Sequence, residues 1–232
     1  MSAPRQRSLA YRLVRHGLTG EAILIVLLFV PAGSLRFWQG WMYTGLSIVA
    51  SLGSFIYFYR HEPQLLERRL LKREKIGEQK RIMRLWRILG AMTLALCGAD
   101  HRFGWSRSFI RPVPLWLVAL AFLLLVAGNV LLFQVLKTNR FAASIVQTEP
   151  GQAVATTGPY RFVRHPMYAG IAVLWLSTPL ALGSFVALPV SALLLPMIML
   201  RLLNEEKVLR AELPAYADYC RRTPYRLAPL VW

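Results

Sequence analysis

The chain of 232 residues is strongly basic and strongly apolar. Hydrophobic residues make up 56% of it and charged residues 17%, and 28 Lys and Arg against 11 Asp and Glu give a formal net charge of +17. Soluble domains carry about 25% charged residues, so this composition excludes a disordered chain and argues against an ordinary water-soluble domain. A soluble protein of this charge would point to nucleic acid, whereas an apolar one is typical of a membrane protein whose basic loops face anionic lipid. We therefore expect membrane lipid, and no nucleic acid, as a partner.

Six apolar stretches predict membrane-spanning helices. A hydrocarbon core of about 30 Å needs about 20 helical residues, and the second, fourth and sixth stretches meet that length. The first, third and fifth stretches are shorter and need flanking residues, a tilt or a tight hairpin. The six stretches run over residues 18–30, 38–59, 82–96, 113–136, 168–182 and 185–203.

The first stretch also has features of a secretory signal. Basic residues precede the apolar run from Ala22 to Val30, and the small residues Ala32, Gly33 and Ser34 follow it. Glu21 interrupts the apolar region, and the later spans require a cytoplasmic start. We therefore expect this segment to be retained as a span.

The distribution of basic residues predicts the orientation in the membrane. If all six stretches cross and the N-terminus is cytoplasmic, 24 of the 28 Lys and Arg fall on the cytoplasmic side. The other four are Arg36, Arg102, Arg107 and Arg111. This asymmetry follows the positive-inside rule, so both termini are predicted to be cytoplasmic.

The predicted fold is an all-α polytopic helical bundle of about six transmembrane segments, or five if a short hairpin does not fully span. We interpret residues 1–232 as a single membrane domain. A four-helix portion occupies residues 1–136, and residues 137–232 hold a catalytic loop, a helical hairpin and a cytoplasmic C-terminal segment. The hairpin is predicted because Gly183 and Ser184 alone separate the fifth and sixth stretches.

The most charged stretch, residues 62–87, predicts an amphipathic helix at the membrane surface. Its Lys and Arg side chains would extend toward the headgroups while their aliphatic stems cover apolar surface. Replacing Lys72, Arg73 and Lys75 with Ala is accordingly expected to disturb membrane association or topology rather than a catalytic step.

Residues suited to chemistry are concentrated in the second half of the chain. Lys137 and Tyr168 bound a loop of about thirty residues, far longer than the usual connection of about 4–6. Pro166 favours the first turn of a helix, so Arg164 and His165 are expected at a helix N-terminus near the membrane surface. Two cationic side chains beside backbone N–H groups suit an anionic ligand.

A second polar group ends the sixth stretch. Arg201 and Glu205 are four residues apart and share a helix face, with Glu206 about 100° further round. The hairpin should bring these residues close to Arg164 and His165. Taken alone, each cluster is also explained as a salt-bridged helix end or an interfacial anchor. Their meeting at one face of the membrane, beside an overlong loop, favours a functional site.

Two other kinds of site are not indicated. The four His and two Cys show no metal-ligand spacing, so no metal site is expected. No glycine-rich fingerprint follows a strand, which argues against a Rossmann-type nucleotide site.

The motifs of the second half carry a family resemblance. Gly-Pro-Tyr-Arg-x-x-Arg-His-Pro-x-Tyr-x-Gly at 158–170, Glu-Glu-x-x-Leu at 205–209, and Tyr216 and Tyr219 before Pro224 resemble isoprenylcysteine carboxyl methyltransferase. More broadly, they are similar to the membrane methyltransferases that include phospholipid N-methyltransferases. Resemblance to a bacterial-type branch extends through residues 100–105 and 225–232. Leu213-Pro214 stands where the eukaryotic enzymes have Phe-Gly, a departure that concerns the prenylcysteine substrate more than the methyl donor.

The resemblance implies S-adenosylmethionine as methyl donor, S-adenosylhomocysteine as product and a site facing the cytoplasm at a bacterial inner membrane. Charge-assisted hydrogen bonds from Arg164 and the N–H groups around His165 suit the donor carboxylate. Glu205 or Glu206 suits its diol or ammonium group, and tyrosine faces such as those of Tyr216 and Tyr219 suit adenine and sulfonium. The residues expected to bind the donor are Tyr160, Arg164, His165, Pro166, Tyr168, Gly170, Glu205 and Glu206.

Catalytic roles are assigned to Arg201, Glu205 and Arg164, and the acceptor is expected to be lipophilic. For a carboxylate acceptor, Arg201 would orient it and no base is needed. For an amine or thiol, Glu205 or His165 would take the proton. Glu205→Gln and Arg164→Ala are expected to weaken donor binding while leaving folding nearly intact. The acceptor's identity and the oligomeric state stay open at this stage.

Two other functions compete with this interpretation. Sterol reductase-like membrane enzymes that use NADPH share a similar Arg-His-Pro-x-Tyr segment, although they usually have longer chains. A small transporter or assembly protein is the other alternative, but no stretch has the charged relay or broken-helix pair that a transporter would suggest.

Overall fold

The computed structural model describes residues 3–71, 77–139 and 154–232, and the regular structure in these ranges is helical. A π-helical turn, Ser106–Ile110, lies between α4 and α5, and a 3-10 turn, Gly158–Arg161, precedes α6. The α-helices are α1 (Ala3–Ala32), α2 (Trp38–His61), α3 (Pro63–Leu71), α4 (Gly77–Phe103), α5 (Leu115–Thr138), α6 (Pro166–Ala181), α7 (Leu188–Ala192), α8 (Leu194–Glu212) and α9 (Tyr216–Arg222).

Five segments within the described ranges are long and apolar enough to cross a membrane. They confirm the predicted all-α membrane bundle. Of the two predicted counts, the structure agrees with five spanning segments, because one helix of the hairpin is short. Helix α6 has 16 residues, about 24 Å at 1.5 Å per residue, against a hydrocarbon core of about 30 Å. The five segments are Leu9–Ala32, Trp38–His61, Lys80–Phe103, Leu115–Thr138 and Leu188–Glu212, the last of which joins α7 and α8.

The short apolar stretches are extended in different ways. The first and third lengthen because the helix continues into their polar flanks, which gives α1 30 residues and α4 27 residues. The fifth gains only Pro166 and Met167, because proline begins the helix there. The hairpin turn covers residues 182–187 rather than the two predicted residues, and Gly183 supplies its positive φ of 76°.

Hydrogen bonds between the segments that connect the helices show which helix ends lie at the same face of the bundle. At one face, the Ser106 hydroxyl accepts hydrogen bonds from the backbone N–H groups of Phe185 (2.8 Å) and Val186 (3.1 Å) and donates to the buried Asp100 carboxylate. The turn after α4 is thereby joined to the hairpin between α6 and α7. At the opposite face, Asn139 after α5 donates to the Tyr160 hydroxyl at 3.1 Å. This alternation is the one expected of helices that cross in succession.

Helix–helix contacts depend on glycine at two crossings. A methyl group at Gly98 of α4 would clash with the carbonyl oxygen of Leu28 in α1. Where α5 meets α6, a Cβ at Gly128 would lie 3.4 Å from the carbonyl oxygen of Gly170. Small residues allow membrane helices to approach closely in this way. The two glycines therefore let the backbones of α5 and α6 pack against each other.

The Glu21 carboxylate that interrupts the first apolar stretch has hydroxyl partners inside the bundle. Ser47 and Ser51 of α2 donate to its Oε1 atom at 2.9 Å and 3.3 Å. Interhelical hydrogen bonds of this kind hold polar side chains within a membrane, which explains how α1 continues through Glu21.

The charged stretch 62–87 differs from the predicted single surface helix. Its first part forms α3, whereas residues 80–87 belong to α4 and enter a candidate membrane span. The prediction failed because the apolar periodicity of α4 begins within the charged region, where tertiary packing extends the helix. Lys72, Arg73 and Lys75, singled out in the sequence, lie outside the described residues.

The crossing of α1 and α4 gives a stability prediction. Gly98→Ala should lower the free energy of unfolding by about 1–3 kcal/mol, the usual range for overpacking, because the added methyl group meets backbone rather than a movable side chain. Gly45→Ala in α2 is the matched control, since its Cβ would meet nothing within 4 Å. Thermal unfolding of both variants in detergent, followed by circular dichroism, checks this. Equal melting temperatures for the two variants would contradict the close contact.

Candidate functional site

Glu206 is the centre of a buried ionic cluster at the end of α8. Its Oε1 atom lies 2.9 Å from Nε of Arg164 and 3.3 Å from Nε2 of His165, and its Oε2 atom lies 3.1 Å from Nε of Arg226. Glu206 is only 4% exposed and Arg164 only 7%. Charges buried to this extent are tolerated when they are paired and hydrogen-bonded. One carboxylate therefore holds together the start of α6, the end of α8 and the C-terminal segment.

The segment 225–232, here called the C-terminal strap, covers the residues before α6. The backbone N–H groups of Arg164 and His165 donate to the carbonyl oxygens of Tyr225 and Arg226, each at 2.9 Å. The expectation that the N–H groups around His165 receive an anionic ligand is therefore wrong for these two amides. The prediction failed because it treated the helix start as uncovered, while a distant segment supplies its acceptors.

The strap is itself held closed by its last residue. The carbonyl oxygen of Trp232 accepts hydrogen bonds from the backbone N–H groups of Arg226 (2.8 Å) and Leu227 (3.0 Å). The Arg226 guanidinium lies over the Trp232 ring, 5.0 Å from its centroid, in a cation–π contact. Leu227 and Trp232 also pack against the apolar cluster that contains Tyr168.

A second network joins Arg201, Tyr168 and Glu205. The Tyr168 hydroxyl donates to Oε2 of Glu205 at 2.7 Å and accepts a hydrogen bond from Nε of Arg201 at 3.1 Å. Arg201 and Glu205 are one turn apart on α8, so a single side chain from α6 reaches both. Both are partly exposed, unlike Glu206. This network therefore presents a cation and a carboxylate that a ligand can reach.

Three tyrosines form the wall behind the ionic cluster. Tyr219 donates its hydroxyl to the carbonyl oxygen of Tyr160 at 2.7 Å, and the Tyr216 hydroxyl lies 3.4 Å from Nε2 of His165. Burial raises the pKa of Tyr160 to about 12 and also raises the pKa of Tyr216 and of Tyr219. All three phenols therefore stay protonated at neutral pH and act as hydrogen-bonding groups that fix the 3-10 turn and α9.

The structure brings nearly all of the predicted site residues to one face of the bundle. Arg164, His165 and Glu206 meet in the ionic cluster, and Arg201, Tyr168 and Glu205 meet in the second network. The remaining predicted residues serve local structure. Pro166 is the first residue of α6, Tyr160 belongs to the tyrosine wall, and Gly170 packs on α5, where a Cβ would lie 3.0 Å from a methyl carbon of Leu132.

Arg226 was missed as a site residue. It appeared in the sequence only as part of a terminal motif, because nothing in local periodicity links position 226 to a glutamate twenty residues earlier. Its guanidinium is a partly exposed partner of Glu206 beside the buried Arg164 and His165, and Nη2 of the exposed Arg210 lies 3.9 Å from the same carboxylate. More than one cation thus surrounds a single buried carboxylate, so the cluster is electropositive and suits an anionic group nearby.

These features define an α-helical integral membrane protein with a polar site at the ends of α6 and α8. Residues 116–214 match the phospholipid methyltransferase family, which confirms the resemblance to the membrane methyltransferase superfamily. The cobalt-zinc-cadmium resistance protein CzcN of Cupriavidus metallidurans is 28% identical over 159 residues. That alignment covers 66% of this chain and 63% of CzcN, so the chain spans less than two thirds of the length of this relative.

The two glutamates should differ sharply in their effect on stability. Glu206→Gln leaves the buried Arg164 without its counter-charge and should lower the free energy of unfolding by about 3–5 kcal/mol, the usual result of removing one buried partner. Glu205→Gln keeps an acceptor for the Tyr168 hydroxyl and should change it by less than about 1 kcal/mol. Thermal unfolding of the purified variants measures both.

The buried pairing of Arg164 with Glu206 changes the expectation for Arg164→Ala. This variant removes the 2.9 Å partner of a carboxylate that is only 4% exposed, so we now expect it to destabilise the fold as well as alter the site. Native-like stability of both Arg164→Ala and Glu206→Gln would show that the ionic cluster does not stabilise the fold.

Proposed function

We propose that this protein is an S-adenosylmethionine-dependent methyltransferase that methylates a lipophilic acceptor at the cytoplasmic face of a bacterial inner membrane. One observation carries the proposal. The start of α6 and the end of α8 meet through Arg164, His165 and Glu206, and the segment 116–214 that matches the methyltransferase family contains all three residues. The positive-inside distribution of Lys and Arg supports the cytoplasmic orientation.

The residues present fit the chemical groups of the donor. S-Adenosylmethionine supplies a methyl group on a sulfonium, next to a carboxylate, an ammonium group and a diol. Glu205, partly exposed and held by Tyr168, suits the ammonium or diol as an acceptor. The neighbouring Arg201 is left for a carboxylate of the acceptor, with which it can form charge-assisted hydrogen bonds. We assign Arg164, His165 and Glu206 the role of positioning residues, because their partners are already within the protein.

The position of the site at the end of a candidate membrane span supports a lipophilic acceptor. Arg201 and Glu205 belong to the segment Leu188–Glu212, which is long and apolar enough to cross a membrane. Beside them, Tyr168 packs with Ile198 and Leu202 in an apolar core, against which Trp86 and Leu195 also pack. An acceptor could thus keep its hydrocarbon part in lipid while its reactive group reaches Arg201 and Glu205.

Methyl transfer breaks the bond from sulfur to the methyl carbon as the acceptor's lone pair forms the new bond, and the sulfur keeps the electron pair. The protein's contribution is then alignment and exclusion of water. With a carboxylate acceptor, Arg201 orients the nucleophile and no proton moves. With an amine or thiol, the partly exposed Glu205 accepts the proton.

Glu205→Gln tests the proposed donor site. The variant should bind S-adenosylhomocysteine at least about tenfold more weakly, because a hydrogen bond to a charged group contributes about 1.5–3 kcal/mol, while its melting temperature without ligand stays unchanged. Isothermal titration calorimetry of the detergent-purified protein measures the affinity. Lys207→Gln, which removes an exposed charge two residues along the same helix, is the matched control and should bind normally. Unchanged affinity in Glu205→Gln would remove Glu205 from the site.

A ligand comparison tests the proposed activity itself. We expect S-adenosylmethionine and S-adenosylhomocysteine to raise the melting temperature and NADPH to have no effect. Stabilisation by NADPH alone would indicate a reductase, and no response to any of the three would favour a protein without catalytic activity. Membranes incubated with methyl-labelled donor, then extracted and analysed by mass spectrometry, identify the acceptor as the molecule that gains the label.

A further inference from the structure

A basic stripe on α4 has no part in the proposed methyl transfer. Lys80, Arg84 and Arg87 are all exposed, and at 100° per residue they fall within about 60° of one another around the helix. Within residues 80–103 the sequence has a single acidic side chain, Asp100, which lies buried near the other end of the helix. This stripe, defined by Lys80, Arg84 and Arg87, is therefore a concentrated positive surface.

The height of the stripe corresponds to the lipid headgroups. Arg87 precedes Phe103, the last residue of α4, by 16 residues, or about 24 Å along the axis. Arg87 also donates from Nε to the carbonyl oxygen of Met83 at 3.3 Å, so its side chain runs back along the helix toward its start. Basic side chains that lie in hydrocarbon extend toward the headgroup layer in this way. The guanidinium of Arg87 is thereby brought closer to Arg84, one turn below.

An exposed apolar surface lies beside the stripe, about 100° around the helix. Leu85, Ile88 and Met92 are 49%, 48% and 46% exposed and occupy the neighbouring face of α4. The core-facing side of the helix is separate, because Trp86 packs toward Tyr168 and Trp175. Two adjoining faces of α4 thus place cations next to apolar side chains that extend further along the helix to Met92, which suits the phosphate and the acyl chains of one phospholipid.

We propose that the Lys80–Arg84–Arg87 stripe is a binding site for an anionic phospholipid, whose phosphate contacts the two arginines and whose acyl chains lie on Leu85, Ile88 and Met92. Charge complementarity selects the occupant, since guanidinium groups pair with phosphate in a geometry that favours two hydrogen bonds. Juxtamembrane basic residues attract anionic lipids for the same reason. The site is independent of the donor site and goes beyond the proposed function.

Native mass spectrometry of the whole protein tests this proposal. Protein released from nanodiscs containing equal amounts of phosphatidylglycerol and phosphatidylcholine should retain phosphatidylglycerol preferentially. The double variant Arg84→Gln/Arg87→Gln should reduce that retention about tenfold or more, as expected when two basic contacts to an anionic lipid are lost. The charge-preserving variant Arg84→Lys/Arg87→Lys should retain most of it and shows that the substitutions permit folding.

Arg12→Gln/Arg15→Gln is the matched control, because these arginines are also exposed and three residues apart, on α1. Its lipid retention should equal that of the unmodified protein. Equal loss in this control would show attraction to net charge alone, and unchanged retention in Arg84→Gln/Arg87→Gln would show that lipid binds elsewhere. Either result overturns the proposal. Calorimetric binding of S-adenosylhomocysteine should be unchanged in every variant, so the outcome does not depend on whether the methyltransferase proposal holds.

Discussion

The architecture of the site depends on one buried carboxylate. Glu206 pairs with Arg164, His165 and Arg226, which come from the start of α6 and from the C-terminal strap. A buried charge of this kind costs free energy unless every partner is in place, so the three segments form the cluster together or not at all. The strap then supplies carbonyl oxygens to the amides before α6, which removes the need for solvent or ligand at those positions.

A second pair of charges lies next to Glu206. Arg201 and Glu205 share Tyr168 and are partly exposed, one turn before the point where α8 is fixed. Adjacent glutamates on one helix thus lie in different surroundings, one buried among cations and one partly exposed, because successive residues point about 100° apart. Rigid support behind an accessible polar pair is the arrangement that precise alignment of two reactants requires.

Close helix packing positions the start of α6 beside α5. Gly128 and Gly170 let the two helices approach closely, and Pro166 is the first residue of α6, which at 16 residues is shorter than a full span. The polar residues before Pro166 therefore stand at the end of a short apolar helix. This position fits the proposal that a soluble donor and a lipid-borne acceptor meet at the site.

The sequence by itself determined the membrane class, the positions of the spans and the two motifs that meet, because hydropathy, helical periodicity and a short hairpin act over neighbouring residues. Because the hairpin is short, the sequence also predicted that one face of the membrane holds Arg164, His165, Arg201, Glu205 and Glu206. Only the tertiary structure decided that Glu206 is a structural tie, that Arg226 completes it and that Gly170 packs on α5. Those outcomes depend on contacts between segments that are distant along the chain. The free energy of a buried charge, or of two helices in close contact, depends on partners that no local sequence pattern identifies.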